Sequence, residues 1–290
     1  VTAEIGINAN GSIEIAKKLV EAAKWAGADL VKFQKRDVST VYAGQLDQPR
    51  ESPWGRTLGE QKFGLEFNRH QYDQIDLFCH AQKIPWYASP WDLVSVDFLK
   101  DYDLPYCKIA SAMATNWSLV AAIAAQDKPT FLSTGACTDQ QVFQALAYFD
   151  GRAETKAPIT LMHCIATYPA QEWMLNLNAI KTLKSKFGVP VGYSGHEASV
   201  SPSVMAVVLG ATAIERHLSL DRSMYGSDQA ASLEPHGFKT LVDQIRKVPL
   251  VLGDGVRKVL PAEEEVAKKL RWFNRPRPVE DDSSPDRRAG

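Results

Sequence analysis

The stretch VPVGYSGHEASVSPSVMAVVLGATAIERH, residues 189–217, decides the fold. It opens on a short apolar run ending Val191-Gly192-Tyr193-Ser194-Gly195-His196-Glu197. It then crosses a helix-like segment, Pro202 to Leu209, and closes on Ala213-Ile214-Glu215-Arg216-His217. Strand, helix, strand is the βαβ unit of a parallel sheet. Both strands of such a unit point the same way, so His196 and His217 are expected to emerge at the same end of neighbouring strands. Imidazoles presented side by side suit a divalent metal such as manganese or zinc. The alternative is that each ring hydrogen-bonds a loop. Alternation along a strand sends Glu215 and His217 to one side. Glu215 is therefore a candidate to orient a ligand or water, or else to pair with a lysine such as Lys32.

The same rhythm runs outward in both directions. Strand-like runs recur at Ala3–Ile7, Leu30–Gln34, Trp86–Ser89, Tyr106–Ile109, Thr130–Ser133, Ile159–His163, Val189–Ser194 and Ala213–His217. Helix-like segments separate them, from Ile13–Trp25 to Pro235–Leu252. The first carries Ile13, Ala16, Leu19, Val20 and Ala23 on one face, with Ser12 as N-cap and Gly27 as its stop. Strict alternation predicts an α/β protein with a parallel sheet, and eight repeats favour a closed (β/α)8 TIM barrel over an open sheet. Residues 1–255 are assigned to the barrel, 256–273 to a C-terminal helical extension, and 274–290 to a disordered tail without apolar period. One connection breaks the rhythm. Between Gln34 and Gln71 lies a long segment rich in Gly, Pro and charge, containing Ser52-Pro53-Trp54-Gly55-Arg56-Thr57. It follows the C-terminal end of a strand, where barrel active sites are built, and is read as a substrate-covering loop.

The 290 residues fit one barrel, and the near-neutral formal charge of -1 gives no electrostatic case for nucleic acid or an anionic membrane. No apolar run reaches the roughly 18 residues of a membrane-spanning helix. No secretory signal is visible, and Val1 looks like a start trimmed just before the first strand. Cys79, Cys107, Cys137 and Cys164 form no close C-x-x-C pair and are expected as reduced thiols in a cytoplasmic protein. Cys164 beside His163 is a minor candidate for a ligand pair.

Collecting the residues at the strand ends gives Lys32, Gln34 and Lys35; Ser89; Lys108 and Ser111; Ser133 and Thr134; Ser194 and His196; Glu215 and His217. A lysine between apolar neighbours, as in Val31-Lys32-Phe33 and Cys107-Lys108-Ile109, sits inside a barrel or at its rim and needs an anion there. Two such lysines among hydroxyls predict a phosphate or carboxylate pocket. Asp228, in Gly226-Ser227-Asp228, could bind sugar hydroxyls or shape a turn.

These residues fall in strings that resemble the sialic acid synthase (N-acetylneuraminate synthase) family. The strings are AEIGIN (3–8), GADLVKFQKR (27–36), SPWGRTLGE (52–60), KIAS (108–111), LSTG (132–135), HC…YP (163–169), VGYSGHE (191–197), LGATAIERH (209–217) and GSDQAASLEP (226–235). They span nearly the whole barrel in order, and the last two are the most specific. The resemblance implies a homodimeric barrel that condenses phosphoenolpyruvate with an aldose. It implies a divalent metal, Mn2+ foremost with Mg2+ or Co2+ as alternatives, on His196 and His217. Lys32, Lys108, Ser111, Ser133 and Ser194 match positions that hold phosphoenolpyruvate, and Gln34 and Asp228 match positions near the acceptor sugar. With the strand-end reading, His196, His217, Lys108 and Glu215 form the expected catalytic set, and Ser89 and Asn10 join the substrate-binding one.

The sequence also departs from the family pattern. Ala9 stands where the family usually has histidine, before Asn10 and Gly11; Met113 stands where an acidic residue is common; Ile165-Ala166 replaces a commonly polar pair. Three lost polar groups on the acceptor side predict a second substrate other than N-acetylmannosamine. Family members usually carry a C-terminal antifreeze-like domain for which this chain has no room, so it is expected to be a fragment or a short member, weakly active or in need of another protein. A synthase for a different 3-deoxy-ulosonate, a catalytically impaired sugar-binding barrel and a Schiff-base aldolase are the competing readings.

Overall fold

In the computed structural model, which describes residues 1–150 and 157–274, eight strands form one parallel sheet. They are β1 Thr2–Glu4, β2 Leu30–Lys35, β3 Trp86–Pro90, β4 Cys107–Ile109, β5 Thr130–Ser133, β6 Ile159–His163, β7 Val191–Gly195 and β8 Ile214–His217. The order around the sheet is β3-β2-β1-β8-β7-β6-β5-β4. The end strands β3 and β4 approach within 8 Å at Cα. Tyr87 of β3 meets Tyr106, just before β4, with ring centroids 6.0 Å apart. The sheet thus curls into the nearly closed TIM barrel that the alternation predicts.

Period-two alternation sorts each strand's side chains. In β2, Val31 and Phe33 face the helices, where Phe33 meets Phe67, Tyr72 and Trp86 edge-on; Lys32 and Gln34 face the barrel interior. The helix Ile13–Ala26 lays Ala16, Leu19, Val20 and Ala23 on the sheet. Ser12 Oγ accepts from Ile15 N at 3.3 Å, and Gly27 ends the helix at φ 86°. Each fully buried aliphatic side chain of this layer contributes roughly 1.5–3 kcal/mol, so the scaffold rests on the apolar shell between sheet and helices rather than on the polar interior.

The long connection after β2 is structured. It holds a short helix, Val38–Val41, an antiparallel hairpin of Pro49–Ser52 and Gly55–Thr57, and a helix, Leu58–Leu65. Thr57 and Glu60 close that last helix with a reciprocal capping box. The hairpin strands are too short and too polar to show an apolar period, so composition alone suggested a loop. Trp54 covers Gly64, where a Cβ would stand 2.1 Å from the indole. The excursion docks on the segment after β8 through Gln61 Nε2, which donates to Tyr225 Oη at 2.6 Å. None of its residues lines the central cleft.

The chain divides into two compact units, Val1–Val248 and Pro249–Gly290. The division falls within the helix Pro235–Leu252, slightly before the sequence-based boundary at 255. The second unit contains the helix Pro261–Leu270, begun by Glu263 Oε2 accepting from Leu260 N at 2.8 Å. The tail expected from residue 274 lies, after Asn274, outside the described residues. All four cysteines are free thiols, and among the described residues no helix is long and apolar enough to cross a membrane.

Candidate active site

Strand register brings four charged side chains together inside the C-terminal end of the barrel. Glu4 in β1 stands opposite Lys32 on one side and His217 on the other, and Glu215 stands opposite Ser194. Lys32 Nζ donates to Glu215 Oε1 at 2.6 Å, and Lys108 Nζ donates to Glu215 Oε2 at 2.9 Å. Lys32 Nζ also lies 2.7 Å from Glu4 Oε2, an ion-pair contact outside hydrogen-bond geometry. Ser194 Oγ donates to Glu215 Oε1 at 3.2 Å, and Gln34 Nε2 donates to Glu4 Oε1 at 3.0 Å. None of Glu4, Lys32, Lys108 and Glu215 is more than 5% exposed, and charges buried so deeply persist only when paired. Burial pushes Lys32 down to about 8 even though Glu215 opposes it. Burial would raise Glu215, but Lys108 and Lys32 outweigh it and hold the carboxyl well below its ordinary range. The ion pair of Glu215 with Lys32, one of the two sequence readings, is formed.

The local backbone explains how Glu4 gets there. β1 ends at Glu4 instead of continuing to Ile7 as expected, and Gly6–Ala9 form a 3-10 turn. Gly6 adopts φ +36°, and a Cβ there would fall 2.0 Å from Glu4 Oε1 and 2.7 Å from Gln34 Nε2. Only glycine lets the chain turn directly over this carboxylate.

His196 and His217 face one another at the same rim, ring centroids 5.5 Å apart. His196 Nδ1 lies 2.6 Å from Ile165 O. A carbonyl can only accept, so Nδ1 carries the proton and Nε2 is left with a free lone pair. His217 Nδ1 is 3.7 Å from Asp228 Oδ2. Burial, then the neighbouring His217, holds His196 down at about 3; burial, then Lys32, does the same for His217. Both rings are thus neutral near pH 7, the form that ligates metals. Among the described residues no group of three or more His, Cys, Asp and Glu gathers to hold an ion. The chain's own donor set is two imidazoles, which fits a divalent ion completed by water and substrate oxygens. Tyr168 packs between them, its ring centroid 4.1 Å from His196 and 5.7 Å from His217.

These groups open onto a cleft of about 260 Å³. Ser89, Ser111, Ser133, Ser194 and Gln34 line it with Lys32, Lys108 and Glu215, as expected. Ser89 Oγ is buried without a hydrogen-bond partner. Other expectations are redirected. Lys35 turns outward to Glu66 at 2.8 Å. Asn10 does not line the cleft; its Nδ2 donates to Tyr225 O at 2.9 Å. Asp228 stands beside His217 and accepts from Ser227 Oγ at 2.7 Å. His163 is bound to Leu175 O at 2.8 Å while Cys164 faces the cleft, so no His163–Cys164 ligand pair forms. Of the three departures, Ala166 lines the cleft, whereas Ala9 is fully buried and Met113 packs on the apolar core.

Residues that the sequence reading did not single out complete the site: Glu4, Tyr168, Trp91 and, behind β8, Arg216 with Glu197. A count of buried charge points to Glu4, because two interior lysines call for more than one carboxylate. Arg216 Nη1 donates to Glu197 Oε1 at 2.9 Å, Ser199 O at 2.9 Å and Ser203 Oγ at 3.0 Å, and Nη2 donates to Glu197 O. Tyr193 Oη donates to Glu197 Oε2 at 2.8 Å. This buried knot fastens the loop that carries His196.

Residues 19–257 match the sequence model of the NeuB family. The chain belongs to the NeuB family. It is an enzyme of carbon–carbon bond formation, a synthase. Human N-acetylneuraminate-9-phosphate synthase is 35% identical over 93% of this chain and 76% of its own length. Campylobacter jejuni N,N'-diacetyllegionaminic acid synthase is 37% identical over 91% of this chain and 80% of its own. Among solved structures, the N-acetylneuraminic acid synthetase of Leptospira borgpetersenii superposes with a TM-score of 0.79 at 28% identity, covering 95% of this chain and 92% of that one. The NeuB-family fold is therefore the barrel described above.

Proposed function

We propose that this NeuB-family chain condenses phosphoenolpyruvate with an open-chain amino or deoxy aldose, giving a 2-keto-3-deoxy sugar acid and inorganic phosphate. The observation that carries the reading is the buried pair of lysines converging on Glu215 within one strand register of two facing, neutral imidazoles. A trianionic substrate needs fixed cations and directed donors, and Lys32, Lys108, Ser89, Ser133 and Ser194 present both in one cleft. A divalent cation held by the imidazoles of His196 and His217 would supply Lewis-acid polarisation of the aldehyde oxygen.

The chain's residues set the rest. Glu215 holds both lysines in place and keeps the pocket electrically balanced until the anion arrives. Glu4 and Gln34 fix Lys32 from its other side. C3 of phosphoenolpyruvate bonds to the aldehyde carbon, whose oxygen takes a proton and becomes a hydroxyl. The hydroxyl of a water adds at C2 while its other proton is the one taken by the new hydroxyl; the C2–O bond to phosphate then breaks, the C2 hydroxyl proton leaves with the phosphate, and the ketone remains. Holding two substrates and a water in register lowers the barrier by supplying orientation in advance. Lys32 and Lys108 act as electrostatic clamps, each hydrogen-bonded to Glu215. Steady-state phosphate release should require both an added aldose and a divalent ion, and borohydride with pyruvate should trap no adduct. Phosphate release that ignores the aldose would refute the condensation; a trapped lysine adduct would favour the aldolase reading instead.

A further inference from the structure

The two imidazoles sit in the stretches Gly195-His196-Glu197 and Glu215-Arg216-His217, and a residue next to each histidine meets its counterpart behind the sheet. The ladder between β7 and β8 pairs Tyr193 with Ile214, Ser194 with Glu215 and Gly195 with Arg216. Its last pair falls one residue short of His196. His217 is still held by the backbone, since its carbonyl accepts from Leu233 N at 2.9 Å. Among the described residues no strand pairing sets His196 against it. Arg216 spans that gap. Its Nη1 donates to Glu197 Oε1 and to Ser199 O, both at 2.9 Å, and its Nη2 donates to Glu197 O. One guanidinium, from the residue before His217, thus holds both the side chain and the backbone of the residue after His196.

Glu197 is fixed from its other side as well. Tyr193 Oη donates to its Oε2 at 2.8 Å and Ser203 Oγ to its Oε1 at 3.3 Å. The carboxylate folds back under Gly195, where a Cβ would stand 2.7 Å from Oε2, so the close approach calls for glycine. Arg216 and Glu197 are both fully buried, and a planar fork gripped on two arms has little room to drift. The remaining restraints on His196 act on the ring and the carbonyl, Nδ1 to Ile165 O at 2.6 Å and Ala170 N to His196 O at 3.0 Å. They set how the ring is turned; the ion pair sets how far it stands from its neighbour. We propose that the Arg216–Glu197 pair is the spacer of the two-histidine site. Both residues are positioning residues that fix the separation of the imidazoles, 5.5 Å between ring centroids, without touching ion or substrate. The inference rests on the metal reading above. An ion shared by two rings needs both lone pairs at one spacing, so loosening the pair behind the sheet weakens the grip in front of it. A pair that served the fold alone would lose only stability.

The test titrates Mn2+ into the full, chelator-treated chain without substrate and follows the free ion by electron paramagnetic resonance. Glu197→Gln and Arg216→Lys should each raise the Kd about tenfold. The double variant should do little more than either alone, because both changes undo one fork. Tyr193→Phe removes a single hydrogen bond to Glu197 and should raise the Kd about threefold; it decides the matter if the ion-pair variants do not fold. Val20→Ala loosens the apolar layer under the helix Ile13–Ala26, away from the pair, and should leave the Kd within about twofold. An unchanged Kd in the folded Glu197, Arg216 and Tyr193 variants, or an equal rise in Val20→Ala, would overturn the spacer and leave the metal reading standing. A parent chain that binds no Mn2+ would sink the metal reading and the spacer with it.

Discussion

Strand β8 separates two buried charge clusters that do different work. Inward, Glu215 binds Lys32 and Lys108 at the floor of a cleft, where the lysines keep N–H directions free for a ligand. Outward, Arg216 is fully buried and committed to Glu197 and Ser199, on the segment after β7, and to Ser203, in the first turn of the helix Ser201–Val208. Both clusters bear the cost of burying ions. The outward one commits both terminal nitrogens of Arg216 and leaves only its Nε without a partner, and it fixes a loop; the inward one is open on one side and can exchange a protein partner for a substrate. Neighbouring residues of one strand thus divide positioning from chemistry.

Substitutions can break this contrast. Glu197→Ala strands a buried guanidinium and should cost about 3–5 kcal/mol in urea unfolding; a change below about 0.5 kcal/mol would mean that the knot is not holding the loop. Lys108→Met leaves Glu215 still paired with Lys32. It should lower kcat/KM on the order of a thousandfold while shifting stability by less than about 2 kcal/mol. If it unfolds the chain as readily as the Glu197 variant does, the inner cluster is structural too. His217→Ala should weaken divalent-ion activation on the order of a hundredfold, seen by titrating metal into chelator-treated enzyme.

The gentlest probe is pH. Burial has moved Lys32 down to about 8, so its ammonium is mostly present at lower pH and lost as pH rises through that value. Anion binding favours the charged form, so KM for phosphoenolpyruvate should rise about tenfold between roughly pH 7 and pH 9. A KM flat across that window would show that Lys32 does not meet the substrate.

Much of this was legible in the residues. The strand count, the shared rim of His196 and His217, the inward lysines and the pairing of Glu215 all follow from period-two alternation in short strands. Glu4 was missed because β1 stops three residues before its apolar run ends, through a turn that Gly6 permits. Tyr168 sits in an irregular loop with no period to read. Asn10, Ala9 and Met113 lie at family-like positions, but position along a chain does not say where a side chain points, and none of the three lines the cleft. The internal order of the excursion is not legible in its composition, because its polar hairpin is held by Trp54, Gly64 and Tyr225, contacts remote in sequence.

Mass analysis of the product decides the account. With phosphoenolpyruvate labelled at C3, a divalent ion and an N-acylhexosamine or its 6-phosphate, the chain is expected to yield one acid containing the label. Its mass should be that of both substrates plus water less phosphoric acid. Recovery of the label only in pyruvate or unchanged phosphoenolpyruvate, under conditions where the folded chain binds both substrates, would contradict it.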